Sequence, residues 1–230
     1  MSSVNQAAFV PATTNYQFGF HSIPNIPITG APADTNWRRW AMLWDGSTYR
    51  MYFFRGSTNN TLYQFGFNPT ASAYQYSYNS IPVLTLTNIP ADADMGSFGM
   101  LWDGSAYRLY VRQLGNPALL YQAAYVPSST QYQFGYNSIP SIPVTGFPAN
   151  TDFSRWNMLS DGSAYRIYFM QLGSNTTLYQ GSFNPSATAY QYAFNSIPNL
   201  TLVGTPSNSN LARFAMLNDR TDYRFYFQTL

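Results

Sequence analysis

The chain has 230 residues, of which 45% are hydrophobic, 18% are aromatic and only 9% are charged. All 11 basic residues are arginines and all 9 acidic residues are aspartates, so lysine and glutamate, two strong helix formers, are absent. The net charge of +2 comes without a basic cluster, and we therefore expect no nucleic-acid partner. The absence of cysteine excludes disulfides and thiolate metal sites, and the many aromatic residues favour an all-β protein.

The N-terminal residues 1–6 show neither the basic nor the apolar region of a signal peptide. No apolar run approaches the ~20 residues that a membrane-spanning helix needs. We therefore expect a soluble protein with no membrane span. Its compartment stays open between the cytoplasm and secretion without a cleaved signal, and a homo-oligomer also stays open.

The stretch 40–54 occurs four times, at an interval of 58 residues. Its first copy reads as two short apolar strands joined by an Asp-Gly turn, which is typical of a β-hairpin. The copies begin at Trp40, Phe98, Trp156 and Phe214. The chain divides without insertions into repeats 4–61, 62–119, 120–177 and 178–230.

Each repeat carries the same signals in the same order. We predict a strand such as 62–67, a second strand closed by Ser-Ile-Pro, a long crossing of about fifteen residues, and then the two strands of the recurring hairpin. The Ser-Ile-Pro segments are 22–24, 80–82, 138–140 and 196–198. Four short strands in a repeat of this length indicate one blade of a β-propeller.

The two ends of the chain complement each other. Two outer strands are predicted near the start, at about 6–9 and 16–21, and two inner strands near the end, at about 213–217 and 223–228. Together they make one whole blade, which removes the exposed sheet edges between the ends. We therefore predict a single domain over 1–230, a four-bladed β-propeller whose N-terminal outer strands complete the C-terminal blade.

The inner strands carry a pattern that fits crowding at a central axis. Their second position is occupied by small residues or by asparagine: Ala41, Gly99, Asn157 and Ala215. The Met-Leu pair that follows is the same in all four repeats. A strand that is apolar on both faces is expected to be buried between two neighbouring blades.

The hairpin motif, Asp-Gly followed by Tyr-x-x-Tyr-Phe-Phe-Arg-Gly at 49–56, resembles hemopexin-type blades, which form four-bladed propellers. The resemblance covers the inner hairpins only, since the period is longer here and the stapling cysteines are missing. The multiplied aromatic repeats also resemble propeller lectins of bacteria and fungi in general style. The first resemblance implies a propeller, and the second implies carbohydrate binding.

The sequence contains few residues that could carry out catalysis. His21 is the only histidine, at a predicted strand end, and it is best interpreted as a surface residue. Asp92 and Asp94 are adjacent carboxylates in a proline-bounded loop, which we interpret as a solvated loop. We therefore predict no enzyme, no catalytic residues, no cofactor and no metal site.

An aspartate and an arginine five residues later recur in every repeat, and they make up eight of the twenty charged side chains. In one interpretation the aspartate accepts turn amides and the arginine packs between aromatic rings. In the other, each pair borders a pocket between blades and binds sugar hydroxyls or a carboxylate. The pairs are Asp45/Arg50, Asp103/Arg108, Asp161/Arg166 and Asp219/Arg224.

One position differs between the repeats, while the residues on either side of it are largely the same. It precedes the aspartate and is occupied by Trp44, Trp102, Ser160 and Asn218. A core position would not change from tryptophan to asparagine, so we expect these side chains to face a cleft or the solvent, where tryptophan can stack on a sugar. Arg39 and Arg155, just before the inner strand, form a further candidate set.

These features predict a multivalent carbohydrate-binding protein, a lectin with pockets between or at the rim of the blades and glycans as partners. The candidate ligand-binding residues are the two tryptophans, the four Asp/Arg pairs, Arg39 and Arg155. The alternative is a hemopexin-like binder of one small ligand or ion in the axial channel.

Overall fold

The structure is a computed structural model that describes residues 3–9, 17–20, 26–56, 58–67, 75–78, 83–126, 132–136, 141–183, 191–194 and 199–229. His21 and the four Ser-Ile-Pro segments lie outside these residues. Every regular element in the described part of the chain is a β-strand, which confirms the predicted all-β class.

The described residues form twenty strands, five for each 58-residue interval. In chain order the first ten are β1 Ser3–Phe9, β2 Gln17–Phe20, β3 Ile26–Thr29, β4 Thr35–Trp44, β5 Tyr49–Arg55, β6 Thr61–Phe67, β7 Tyr76–Tyr78, β8 Leu84–Thr87, β9 Ala93–Trp102 and β10 Tyr107–Gln113. The second ten are β11 Asn116–Tyr125, β12 Gln133–Tyr136, β13 Ile142–Thr145, β14 Thr151–Ser160, β15 Tyr165–Gln171, β16 Thr177–Phe183, β17 Tyr192–Phe194, β18 Leu200–Val203, β19 Ser209–Asn218 and β20 Tyr223–Thr229.

Each sheet is an antiparallel meander whose outermost position is shared by two short strands. In one sheet β4 pairs with β5, and β5 with β6. One end of β6 then pairs with β7 and its other end with β8. The prediction of a strandless crossing was therefore wrong, because the crossing contains β3, β8, β13 or β18. The short strands alternate buried residues with partly or fully exposed ones, but four residues are too few to show this period clearly in the sequence.

The first and last parts of the chain pair with each other. Strand β1 runs antiparallel to β20, with Val4 opposite Gln228 and Phe9 opposite Tyr223. This confirms the predicted completion of the last hairpin by the N-terminal strand. Neighbouring sheets are also joined at the outside by short parallel pairings, which link β3 with β7, β8 with β12, β13 with β17 and β18 with β2.

The inner strands are buried on both faces. In β4 the four residues 40–43 are all buried, and alternate side chains enter different cores. Ala41 and Leu43 pack in a core with Phe98 and Met100 of β9. Trp40 and Met42 pack instead in a core with residues of β19. Contacts of β4 with β9, β9 with β14, β14 with β19 and β19 with β4 close a cycle of inner strands, as in a β-propeller.

Asn157 fills the space where the inner strands converge. Its side chain is 1% exposed and uses both its donor and its acceptor atoms. The Nδ2 group donates to the carbonyls of Phe98 (3.5 Å) and Phe214 (3.2 Å), and Oδ1 accepts from the amides of Met158 (2.9 Å) and Met216 (3.1 Å). These backbone groups belong to the inner edges of three strands, which have no further strand to pair with. One asparagine therefore binds backbone amides and carbonyls that would stay unpaired if all four repeats had a small residue at this position.

We expect Asn157→Ala to lower the free energy of unfolding by roughly 3 kcal/mol, because it removes buried hydrogen bonds and leaves backbone groups unsatisfied. Urea unfolding followed by tryptophan fluorescence measures the loss. Asn60→Ala is the matched control, since Asn60 is exposed and contacts the hydroxyl of its neighbour Thr61. Equal stability of the two variants would show that the axial hydrogen bonds contribute nothing.

Candidate functional site

The turn at the end of each inner strand is organised by its aspartate. Asp45 accepts, through Oδ1, the amides of Ser47 (3.0 Å) and Thr48 (2.8 Å) and the Ser47 hydroxyl (2.9 Å). Its Oδ2 accepts Arg50 Nε at 2.7 Å. The aspartates of the other repeats make the same contacts, namely Asp103, Asp161 and Asp219. The predicted Asp/Arg pairs are therefore ion pairs within one hairpin.

The same carboxylates also join neighbouring repeats. A tyrosine at the start of the second strand donates its hydroxyl hydrogen to the aspartate of the adjacent repeat. The bonds join Tyr107 to Asp45 (3.1 Å), Tyr223 to Asp161 (2.9 Å) and Tyr49 to Asp219 (2.8 Å). The last bond links the fourth repeat to the first. These tyrosines were missed as partners because a spacing of 62 or 170 residues gives no local signal.

The environment of the carboxylates keeps them ionised. Burial alone would raise the pKa of Asp161, but the amide of Ala164, the hydroxyl of Ser163 and the guanidinium of Arg166 outweigh it and lower this pKa to about 2. Asp219 is also lowered to a pKa of about 2 by hydrogen bonds that outweigh its burial. Burial raises the pKa of the Tyr223 hydroxyl to about 12; the charge of Arg166 opposes this shift, and the carboxylate of Asp161 adds to it. The hydroxyl therefore stays a donor and the carboxylate an acceptor at neutral pH.

The tyrosines also support the tryptophans at the variable position. Trp44 lies opposite Tyr49 in the hairpin, and their ring centroids are 4.7 Å apart. Trp102 lies opposite Tyr107 in the same way, at 5.0 Å. Each indole is thus packed on a ring that is itself bonded to a neighbouring repeat. Both tryptophans are half-buried, so part of each side chain remains accessible.

The four variable positions line one shared pocket at the ends of the inner strands, which we call the mouth pocket. Its volume is about 340 Å³, within the range of small-molecule sites. Trp44 and Trp102 lie on two adjacent repeats, and the smaller Ser160 and Asn218 come from the other two. The turns contribute Gly46, Asp103, Gly104, 161–165 and Arg220. The sequence predicted separate pockets in each repeat, whereas these positions meet in a single one.

Arg220 is a lining residue that the sequence analysis missed. It occupies the turn position that holds Gly46, Gly104 and Gly162 in the other repeats, and its φ is 79°. A glycine adopts this backbone readily, whereas an arginine adopts it at a cost. The exchange of glycine for arginine in one of four aligned turns was the available signal.

Arg39 and Arg155 lie near the middle of β4 and β14, away from the strand ends that form the mouth pocket. Arg39 is five residues before Trp44 on β4, roughly 16 Å along an extended strand. It donates to Asn59 Oδ1 (2.6 Å) and to the carbonyl of Thr58 (2.8 Å), and lies over the ring of Phe54. Arg155 makes equivalent bonds to Asn175 Oδ1 (2.8 Å) and the Ser174 carbonyl (2.9 Å). The structure does not bring this pair together with the tryptophans.

A second pocket, of about 600 Å³, lies beside Arg39 between the first two repeats. The loop 58–60 lines one side, and Leu86, residues 88–91, Ala93 and Met95 line the other. Because Asn59 and Met95 of this lining contact Arg39, the arginine helps to hold the two sides together.

The space on the axis below the mouth pocket is small. A cavity of about 10 Å³ lies among Leu43, Met100, Leu159 and Met216, about the volume that one water molecule requires. Within the described residues no group of three or more histidine, aspartate or glutamate side chains could hold a metal ion. The described residues also include no helix long and apolar enough to cross a membrane.

No protein-family model and no curated protein matches the chain, so the resemblance of its hairpins to hemopexin-type blades gains no support. Among solved structures, it is similar to the SapL1 lectin in complex with alpha methyl fucoside, at 12% identity and a TM-score of 0.39, over 85% of this chain and 57% of that one. It is similar to AofleA from Arthrobotrys oligospora at 11% identity and a TM-score of 0.40, over 93% and 56%. It is also similar to the six-bladed β-propeller lectin of Aleuria aurantia at 10% identity and a TM-score of 0.38, over 83% and 54%. The chain spans just over half of each of these lectins.

We expect the free energy of unfolding to fall as the pH drops from about 4 to about 2. Asp161 and Asp219 have folded pKa values of about 2, below their ordinary value of 3.8. A lowered folded pKa stabilises the native state above the ordinary value and ceases to do so as the pH falls through the folded value, which is worth roughly 2 kcal/mol for each group.

Thermal unfolding between pH 7 and pH 2 measures this loss for the wild type and for Asp161→Asn. The variant is expected to be less stable at pH 7 and to lose less stability in acid, because one titrating group is gone. An equally steep acid loss in both proteins would rule out Asp161 as a contributor.

Proposed function

We propose that this protein is a four-bladed β-propeller, a single domain over 1–230, that binds carbohydrate in the mouth pocket. The cycle of inner strands and the pairing of β1 with β20 support the blade number. The observation that carries the function is the meeting of Trp44 and Trp102 in one open pocket with polar Ser160 and Asn218. Indole rings stack on the apolar faces of sugar rings, and hydroxyl and amide groups bind sugar hydroxyls.

We propose that the predicted Asp/Arg pairs support this site by holding the turns that line it. Asp103 and Asp161 line the pocket, but their carboxylates already accept turn amides and an arginine. Each arginine binds its aspartate through Nε and keeps about a fifth of its side chain exposed, for example 20% for Arg50 and 24% for Arg108. We propose that the pairs position the turns and that their exposed guanidinium edges contribute contacts at the rim.

Multivalent binding would need further sites besides the mouth pocket. The pocket beside Arg39 is the candidate, because asparagine amides and apolar side chains line it. The equivalent position beside Arg155 repeats the asparagine and carbonyl contacts of Arg39. We propose these between-blade positions as secondary sites, which Arg39 and Arg155 shape.

A glycan array with the wild type, Trp44→Ala and Trp102→Ala tests the primary site. Each variant is expected to bind about tenfold more weakly than the wild type, equivalent to about 1.4 kcal/mol, because it loses a stacking surface. Titration calorimetry with the best glycan on the array measures the change.

Tyr132→Ala serves as the matched control, because Tyr132 is an exposed aromatic residue outside the mouth pocket. Its affinity should equal that of the wild type. Absence of binding to any glycan would refute the function, and unchanged binding by both tryptophan variants would refute the site.

A further inference from the structure

Arg220 occupies a turn position whose backbone conformation favours glycine. Its φ of 79° lies in the left-handed region, and the equivalent Gly46, Gly104 and Gly162 have φ values of 93°, 96° and 87°. The turn is held by the same aspartate contacts in all repeats, so the arginine side chain is not needed to form it. Backbone strain of this kind clusters at active sites, ligand-binding positions and switch regions.

The side chain of Arg220 reaches across the mouth pocket. Its Nη2 lies 3.5 Å from the position that a Cβ atom at Gly46 would occupy, so the guanidinium spans from the fourth repeat to the first. Arg220 is exposed and lines the same pocket as Trp44 and Trp102.

Other charges around the pocket are already neutralised, whereas that of Arg220 is not. Asp103 pairs with Arg108, Asp161 with Arg166, and Asp219 with Arg224. None of the ion pairs among the described residues includes Arg220, and neither described cation–π contact involves it. The mouth pocket therefore presents one uncompensated cation beside two indole rings.

We propose that the mouth pocket selects a sugar that carries a carboxylate, and that Arg220 binds this group. A guanidinium matches a carboxylate with two parallel hydrogen bonds, which are stronger than bonds between neutral groups. Trp44 and Trp102 supply stacking surfaces for the sugar ring, and Ser160 and Asn218 supply polar contacts. This inference rests on the proposed carbohydrate binding and adds the chemical class of the sugar.

Matched pairs of sugars test the inference directly. Methyl glucuronide with methyl glucoside, and methyl galacturonide with methyl galactoside, differ in one carboxylate. They are titrated by calorimetry, and an array that contains sialylated, sulfated and neutral glycans is read in parallel. The wild type is expected to prefer the carboxylate-bearing member by about tenfold or more, and to lose much of this preference at high salt.

Three variants test whether Arg220 causes the preference for carboxylate-bearing sugars. Arg220→Gly restores the residue of the other three turns, so it should fold with an unchanged or higher Tm and lose the preference for the carboxylate-bearing sugars. Arg220→Lys should retain part of it, because the charge stays and the paired geometry is lost. Arg38→Gln removes the same charge from an exposed residue of β4 that lies six residues before Trp44, and should change nothing.

The outcomes separate this inference from the proposed function. Neutral glycan binding without acidic preference, or a preference that survives in Arg220→Gly, overturns the role of Arg220 and leaves carbohydrate binding standing. A preference for sulfated glycans alone overturns the carboxylate assignment. Absence of binding to every sugar overturns both.

Discussion

The burial of both faces of each inner strand is the constraint on which the structure depends. A strand that is apolar at every position, such as 40–43, needs a sheet against each of its two faces, and a sheet at the end of an open row would have only one neighbour. The contacts of β4 with both β9 and β19 meet this need by closing the row into a cycle. Closure then creates a new problem at the axis, where the inner edges meet with unpaired backbone groups. Asn157 satisfies edges of three strands at once, and its repeat-related positions stay small because the space is then full.

The turn aspartates also join neighbouring repeats, at the end of the inner strands where the mouth pocket lies. One oxygen of Asp45 fixes its own turn, and the other accepts both Arg50 and the Tyr107 hydroxyl of the next repeat. Because Tyr107 also packs on Trp102, the position of the indole depends on a carboxylate in the neighbouring repeat. The walls of the mouth pocket are thus fixed by bonds between repeats, and a pocket that is formed before its ligand arrives spends little ordering entropy on binding.

The repeat period and the two hairpin strands were predictable because both leave local, periodic patterns in the sequence. The period of 58 predicted the order of the main strands in each sheet and the pairing of β1 with β20. The variable position that Trp44 occupies in the first repeat indicated a cleft. What could not be predicted depends on distance between repeats. The bond from Tyr49 to Asp219 joins residues 170 apart, and the merging of four variable positions into one pocket follows from their convergence at the axis. The short strands such as β8 were missed because pairing with β6 and β12 defines them, and four residues carry little pattern of their own.

Two residues break the repeat most sharply, and the structure explains them in opposite ways. Asn157 is buried, and its donors and acceptors are all used by the protein, so its difference from Ala41 and Ala215 is accounted for by stability. Arg220 is exposed, holds a backbone that suits glycine, and forms no ion pair within the described residues. A departure that costs stability and meets no need of the fold is expected only where something outside the fold benefits from it. That contrast, more than any feature shared by the four repeats, is the reason to look for the ligand at Arg220 and the two tryptophans.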